Sequence, residues 1–250
     1  MNRVKASLIH LALSAFVFAL TVALVVTLWY PWPYFWIDGG WQFIRLAAAV
    51  DLVLGPVLTL IVFRSSKPGL KFDLAAIGAM QILALGWGSV LMYTQRPAFL
   101  VFSYDTFRTV TWEQIEVTAR TRAELVALSP RTPGVVFLEL PGEKREVLKM
   151  VEAARRGEAP SVQCLGDRYR FFSPEHAEAA AAHRLDFESL LRERPEDRAK
   201  VKAFLESAGK QASDVLFLPV QARYSAVTAG VDLKKGEFLG FLDVIPPTPM

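Results

Sequence analysis

Three long apolar stretches lie within the first 94 residues of this 250-residue chain, and the remainder reads as an ordinary water-soluble domain. Ala6 to Tyr30 runs for 25 residues without Asp, Glu, Lys or Arg, and Leu74 to Tyr93 for 20. Between them, Trp41 to Phe63 runs for 23 residues interrupted by Arg45 and Asp51. About 20 helical residues cover the ~30 Å hydrocarbon core of a bilayer. The pattern predicts a membrane protein with three transmembrane α-helices, over about 6–30, 41–63 and 74–93, in a domain of residues 1–94. The first stretch is longer than the apolar region of a signal peptide, and its Leu-Trp-Tyr-Pro-Trp exit lacks a small-residue cleavage site, so it is expected to stay.

Basic residues give the orientation. Arg3 and Lys5 precede the first stretch and Arg64, Lys67 and Lys71 follow the second, whereas Pro31 to Gly40 has no Lys or Arg. Lys and Arg favour the cytoplasmic side. The N-terminus is thus expected inside, and everything after the third helix outside. Trp29, Tyr30, Trp32, Tyr34, Phe35, Trp36 and Trp41 crowd the outer connection, at headgroup level.

The net charge of +3 is uneven: residues 1–93 hold six basic and three acidic side chains, and residues 94–250 hold 22 of each. A neutral outer domain carries no electrostatic footprint for nucleic acid. Cys164 is the single cysteine, which excludes an internal disulfide and a thiolate-built metal centre.

Residues 95–250 suffice for one core. Ala98 to Tyr104 and Phe107 to Trp112 read as strands around a turn at Asp105-Thr106. Thr111 with Gln114, and Thr121 with Glu124, have capping-box spacing, predicting two short helices before Pro130. Gly134 to Leu140 is a strand and Glu143 to Arg156 a helix stopped by Gly157. Ser173-Pro174 opens a helix expected to run to Pro195, which opens the next, stopped at Gly209. Strands over Val215 to Val220, Ala222 to Val231 and Glu237 to Val244 precede a proline-rich tail, Pro246-Pro247-Thr248-Pro249. The expected fold of this part is an α+β domain with an antiparallel sheet.

Motifs for phosphate, dinucleotide, zinc-protease and serine-hydrolase chemistry are absent from the sequence. His176 and His183 are seven apart on one predicted helix, ~10 Å along the axis, too far for one metal, and read as two surface histidines. No enzyme, cofactor or metal is expected. The mixed acidic and basic runs, such as Arg192-Glu193-Arg194, read as solvated faces.

Asp51 is the eleventh of 23 residues in the second span. A mid-bilayer carboxylate costs about 2.5–3.5 kcal/mol on insertion scales unless paired or protonated. Arg45 lies about 240° round the helix and can extend towards the interface instead. Gln81 on the third span is the better partner, ~13 Å from the cytoplasmic end against ~18 Å for Asp51. Two readings stay open: an interhelical hydrogen bond that fixes packing, or contact with a partner's transmembrane helix. One acid in three helices makes a poor proton relay. Gly55-Pro56 follows, and Pro56 removes the hydrogen bond to the Leu52 carbonyl, so a kink is expected. Ala75, Ala79 and Gly86 place small residues along one side of the third span, with Ala84 and Gly88 beside them, suited to close helix packing.

These motifs carry a resemblance. Lys5-Ala6-x-Leu8-Ile9-His10-Leu11, Trp29-Tyr30-Pro31, Gly39-Gly40-Trp41 and Val50-Asp51-x-x-Leu54-Gly55-Pro56-x-Leu58-Thr59-Leu60 resemble the type IV pilin accessory proteins of the TfpX/TfpZ type. Phe72-Asp73-Leu74, Arg96-Pro97-Ala98-Phe99-Leu100-Val101-Phe102 and, near the end, Leu216-Phe217-Leu218-Pro219-Val220, Gly236-Glu237-Phe238-Leu239-Gly240 and Leu242-Asp243-Val244 continue it. The middle, about Pro141 to Gly209, does not match.

The resemblance implies a bacterial inner-membrane protein with a periplasmic domain. It implies a chaperone-like partner of one type IV major pilin, promoting its stability or pilus assembly and twitching motility, with other assembly components as further partners. It implies no catalytic residue. A membrane-anchored periplasmic ligand-binding sensor is the alternative from another class. Against it stands the longest inner segment, Arg64 to Asp73, which is too short for an output domain.

Overall fold

The computed structural model describes residues 2–65, 67–128 and 133–246. Pro130 and the tail from residue 247 lie outside that set. The chain divides into two compact units, Met1–Arg96 and Pro97–Met250.

The first unit is helical. Helix α1 (Arg3–Leu24) starts on Asn2, whose side chain accepts from the Lys5 N–H at 2.8 Å, and runs on as a π-turn over Val25–Trp29. A short α2 (Tyr34–Ile37) occupies the connection. The middle helix begins after Gly39 (φ 111°) as α3 (Gly40–Ala48), widens into a π-turn over Ala49–Leu54 and continues as α4 (Gly55–Val62). Helix α5 (Leu70–Thr94) closes the unit. Among the described residues, Arg3–Trp29, Gly40–Val62 and Leu70–Thr94 are long and apolar enough to cross a membrane. The first and third start earlier than expected from hydropathy because the helices take in the charged flanks at Arg3, Lys5, Lys71 and Asp73. Ala75, Ala79 and Gly86 are exposed, so the small face read from the sequence is not the packed one. Gly88 is: a Cβ there would lie 2.7 Å from the Phe43 ring.

Among the described residues the second unit holds seven strands in the order β4-β3-β1-β2-β5-β6-β7. They are β1 (Pro97–Ser103), β2 (Thr106–Thr111), β3 (Gly134–Leu138), β4 (Tyr169–Phe171), β5 (Val215–Gln221), β6 (Ala226–Asp232) and β7 (Phe238–Leu242). The sheet is mixed, not antiparallel as the sequence suggested. Hairpins keep β1–β2, β5–β6 and β6–β7 antiparallel, and β3–β4 is antiparallel too, but β1 pairs with β3 and β2 with β5 in parallel. After β2 the chain passes through α6 (Arg122–Ala127) before β3, which returns it in the direction of β1. All seven residues of β1 are buried, as befits a strand covered on both faces.

Helices α7 (Lys144–Arg155), α8 (Pro174–Ala181), α9 (Phe187–Glu193) and α10 (Arg198–Ala208) complete the unit. One core cluster joins Phe99, Val101, Val110, Leu125, Val136 and Tyr169; a second joins Leu190, Val201, Val215, Phe217 and Leu242. Gly230 admits the Phe204 ring of α10, since a Cβ there would come within 2.4 Å of it. The opposite sheet face is aromatic, with Phe102 against Phe107 at 5.1 Å and Phe137 stacked on His176 at 4.1 Å.

Two helix expectations change. The Thr121–Glu124 capping box does open α6, but around Thr111 and Gln114 the chain makes a turn, from which Glu116 pairs with Cys164 and Gly166. The helix expected from Pro174 to Pro195 is two, because the Leu185 N–H bonds to the Phe217 carbonyl at 2.9 Å and Asp186 then caps α9. His183 therefore falls beyond α8, and His176 is a half-buried ring rather than a surface one.

Candidate functional site

The middle helix carries the polar groups of the first unit. In its π-turn the Gly55 N–H bonds to the Val50 carbonyl, five residues back. The next donor in that ladder would be residue 56, a proline without an N–H. The acceptor left over is the Asp51 carbonyl, one residue earlier than an ordinary α-helix would give.

Gln81 of α5 supplies the missing donor, its Nε2 lying 3.3 Å from the Asp51 carbonyl oxygen and 3.5 Å from Oδ1. Its Oε1 is 2.7 Å from His10 Nε2, and His10 Nδ1 is 2.6 Å from Thr59 Oγ1. Because Gln81 Oε1 can only accept, His10 Nε2 is the donor of that pair, and the Gln81 amide in turn donates to Asp51. Ser7 adds a link, donating to the Pro56 carbonyl at 2.8 Å. Three apolar helices are thus joined through polar side chains.

Gly55 makes room for this. A Cβ there would stand 2.2 Å from Gln81 Nε2 and 2.6 Å from its Cδ. The structure brings Asp51, Gly55, Pro56 and Gln81 together; Arg45 is exposed, its guanidinium 5.9 Å from the Trp41 ring centre. His10, Ser7 and Thr59 were not singled out in the sequence. Spacing could have found them, because Ser7, His10 and Ser14 share one face of α1, and Asp51, Gly55 and Thr59 recur every four residues.

Beside the network lies a cleft of about 210 Å³. Leu13 and Val17 of α1 face Ile82 and Leu85 of α5 across it, with His10, Asp51 and Gln81 also lining it. Helices α1 and α5 both pack on the middle helix and scarcely on one another. Among the described residues the Asp51 carboxyl group receives the long Gln81 contact and no other hydrogen bond, although the residue is 5% exposed.

In the second unit, Cys164 is buried, and burial together with Glu116 pushes its thiol pKa up, opposite to what a nucleophile needs. Two carboxylates act as loop anchors. Asp167 accepts from the Thr118, Ala119 and Arg120 N–H groups and the Thr118 hydroxyl, which hold it down at about 2. Asp232 pairs with Lys210 at 2.5 Å and accepts from the Lys234 and Lys235 N–H groups.

Comparison with known proteins points in one direction. A family model described as fimbrial assembly protein FimB matches residues 1–39. The fimbrial assembly protein of Dichelobacter nodosus serogroups C1 and C2 is 36% identical over 107 residues, 42% of this chain and 81% of that protein. Those of serogroups I and E1 are 36% and 38% identical over 110 and 108 residues, 43% and 42% of this chain. The match spans less than half of these two relatives, 42% and 41% of their lengths. No solved structure matches the chain.

Proposed function

The chain belongs to the fimbrial assembly protein (FimB) family, and on that premise we propose that it is a multi-pass inner-membrane accessory protein of one type IV major pilin. It promotes the stability of that pilin or its incorporation into the pilus, and no catalytic step is assigned to it. The finer kinship, to the TfpX/TfpZ type, rests on the Asp51 to Pro56 motif and the Arg96-Pro97 exit.

The observation that carries this reading is the polar network inside the three apolar helices. Without water to compete, unsatisfied backbone groups are costly in lipid. Here the Gln81 amide meets the carbonyl that Pro56 leaves over, so the middle helix can keep its irregular turn within a bilayer. Such a bundle offers a pilin awaiting assembly a fixed surface for its apolar helix, while the unit over Pro97–Met250 serves its folded head on the outer side.

Deletion of the gene, in a strain with no second accessory protein, tests the function. Surface piliation and twitching are expected to fall while the pilin transcript stays unchanged, and the pilin should co-purify with the full-length chain from membranes. Normal piliation together with no co-purification would overturn the reading.

A further inference from the structure

The network leaves hydrogen-bonding capacity unused, most of it on one group. His10 engages both ring nitrogens, Gln81 both amide atoms, and Thr59 its hydroxyl. The Asp51 carboxylate keeps the most, with about four lone-pair sites and one long contact, and it lines the cleft.

The walls constrain what can satisfy it. Leu13 and Ile82 at the rim are 64% and 73% exposed, so the cleft opens sideways between α1 and α5. Gly78 lines the α5 side, and a Cβ built there meets nothing within 4 Å. The volume of about 210 Å³ exceeds the ~150 Å³ that admits a benzene, so side chains fit while a helix backbone stays at the rim. A hydrated ion would face apolar walls. A lipid chain would suit those walls but leave the carboxylate without a donor. An apolar helix carrying one donor meets both requirements.

We infer that the α1–α5 cleft receives one face of a transmembrane helix of the pilin, and that Asp51 accepts a hydrogen bond from a protonated amine or hydroxyl carried at mid-depth by that helix. The inference rests on the proposed function and adds the surface and the chemistry of contact. The carboxylate supplies specificity, because an apolar helix without the donor would leave it unpaired in a dry site.

Photocrosslinking in native membranes, with full-length protein and cognate pilin co-expressed, tests it. A benzoylphenylalanine at Leu13 or Ile82 should crosslink to pilin at least tenfold more than one at Leu8 or Leu83, which point away from the cleft. Gly78→Leu, which fills open space, should reduce the Leu13 crosslink at least fivefold at unchanged protein level, and Asp51→Leu, which removes the acceptor, should do the same. Equal crosslinking at all four positions would overturn the inference, as would crosslinks to lipid or to a second copy alone, or an unaffected signal in Gly78→Leu. If pilin still co-purifies in any of those cases, the proposed function stands and the cleft assignment falls. If pilin fails to co-purify and piliation is normal in the deletion strain, both fall.

Discussion

The side-chain amide of Gln81 stands 3.3 Å from the main-chain carbonyl of Asp51, the acceptor that Pro56 leaves without a donor. Thirty residues and a change of helix separate the two, and their similar depth in the spans brings them level.

Replacing Gln81 by Ala should therefore lower stability in detergent by about 1 kcal/mol, the range for interhelical hydrogen bonds in membrane bundles. Pro56→Ala restores a backbone N–H to the same ladder. In that background the cost of Gln81→Ala should shrink without vanishing, because His10 Nε2 still loses its partner. A double-mutant cycle from thermal unfolding measures the coupling. Additive losses would show that Gln81 does not serve the proline's missing donor.

Gly55→Ala should reproduce the Gln81 defect. The added Cβ would lie 2.2 Å from Gln81 Nε2, so the amide has to leave. A loss of about 1–3 kcal/mol is expected from the stranded polar groups. Combined with Gln81→Ala the loss should be smaller than the sum, as measured by the same unfolding curves.

The three apolar helices and most strands were legible because one hydrophobic period or run specifies each. The partnership of Asp51 with Gln81 could be read from depth alone, since both lie mid-span on helices of similar register. The role of His10 could not be read that way, because it depends on which faces of α1 and α5 turn inward. The parallel pairs were hidden for another reason. Burial along β1 is continuous, and continuity reports coverage on both faces, not the direction of the neighbouring strand.

Asp232 sets an acid limit on the second unit. Lys210 and the N–H groups of Lys235 and Lys234 hold its carboxyl at about 2, below the ~3.9 of an unconstrained aspartate. Its contribution is present in full above about pH 4 and is lost as pH falls towards 2. Asp232→Asn should raise amide hydrogen exchange across residues 210–236 at pH 7 and flatten its rise between pH 4 and 2. An unchanged acid profile would show that other carboxylates, such as Asp167, govern that window.

The basic residues flanking the spans predict the topology. Alkaline phosphatase fused after Val244 should be active, and a fusion between Arg64 and Lys71 inactive. The reverse pattern would remove the second unit from any contact with a pilin head.

Function should require both units in one chain. A pilin awaiting assembly has an apolar helix in the bilayer and a folded head outside, so a partner gains most by meeting both at once. Helix α5 ends at Thr94 and β1 begins at Pro97, which leaves two residues between helix and strand. So short a tether keeps the local concentration of the second contact high once the first has formed. In a deletion strain, residues 1–94 alone and a secreted 95–250 fragment should each fail to restore surface piliation, and the full-length chain should restore it. Rescue by the outer fragment alone would reduce the three helices to an anchor and leave the Asp51 cleft without a role in assembly.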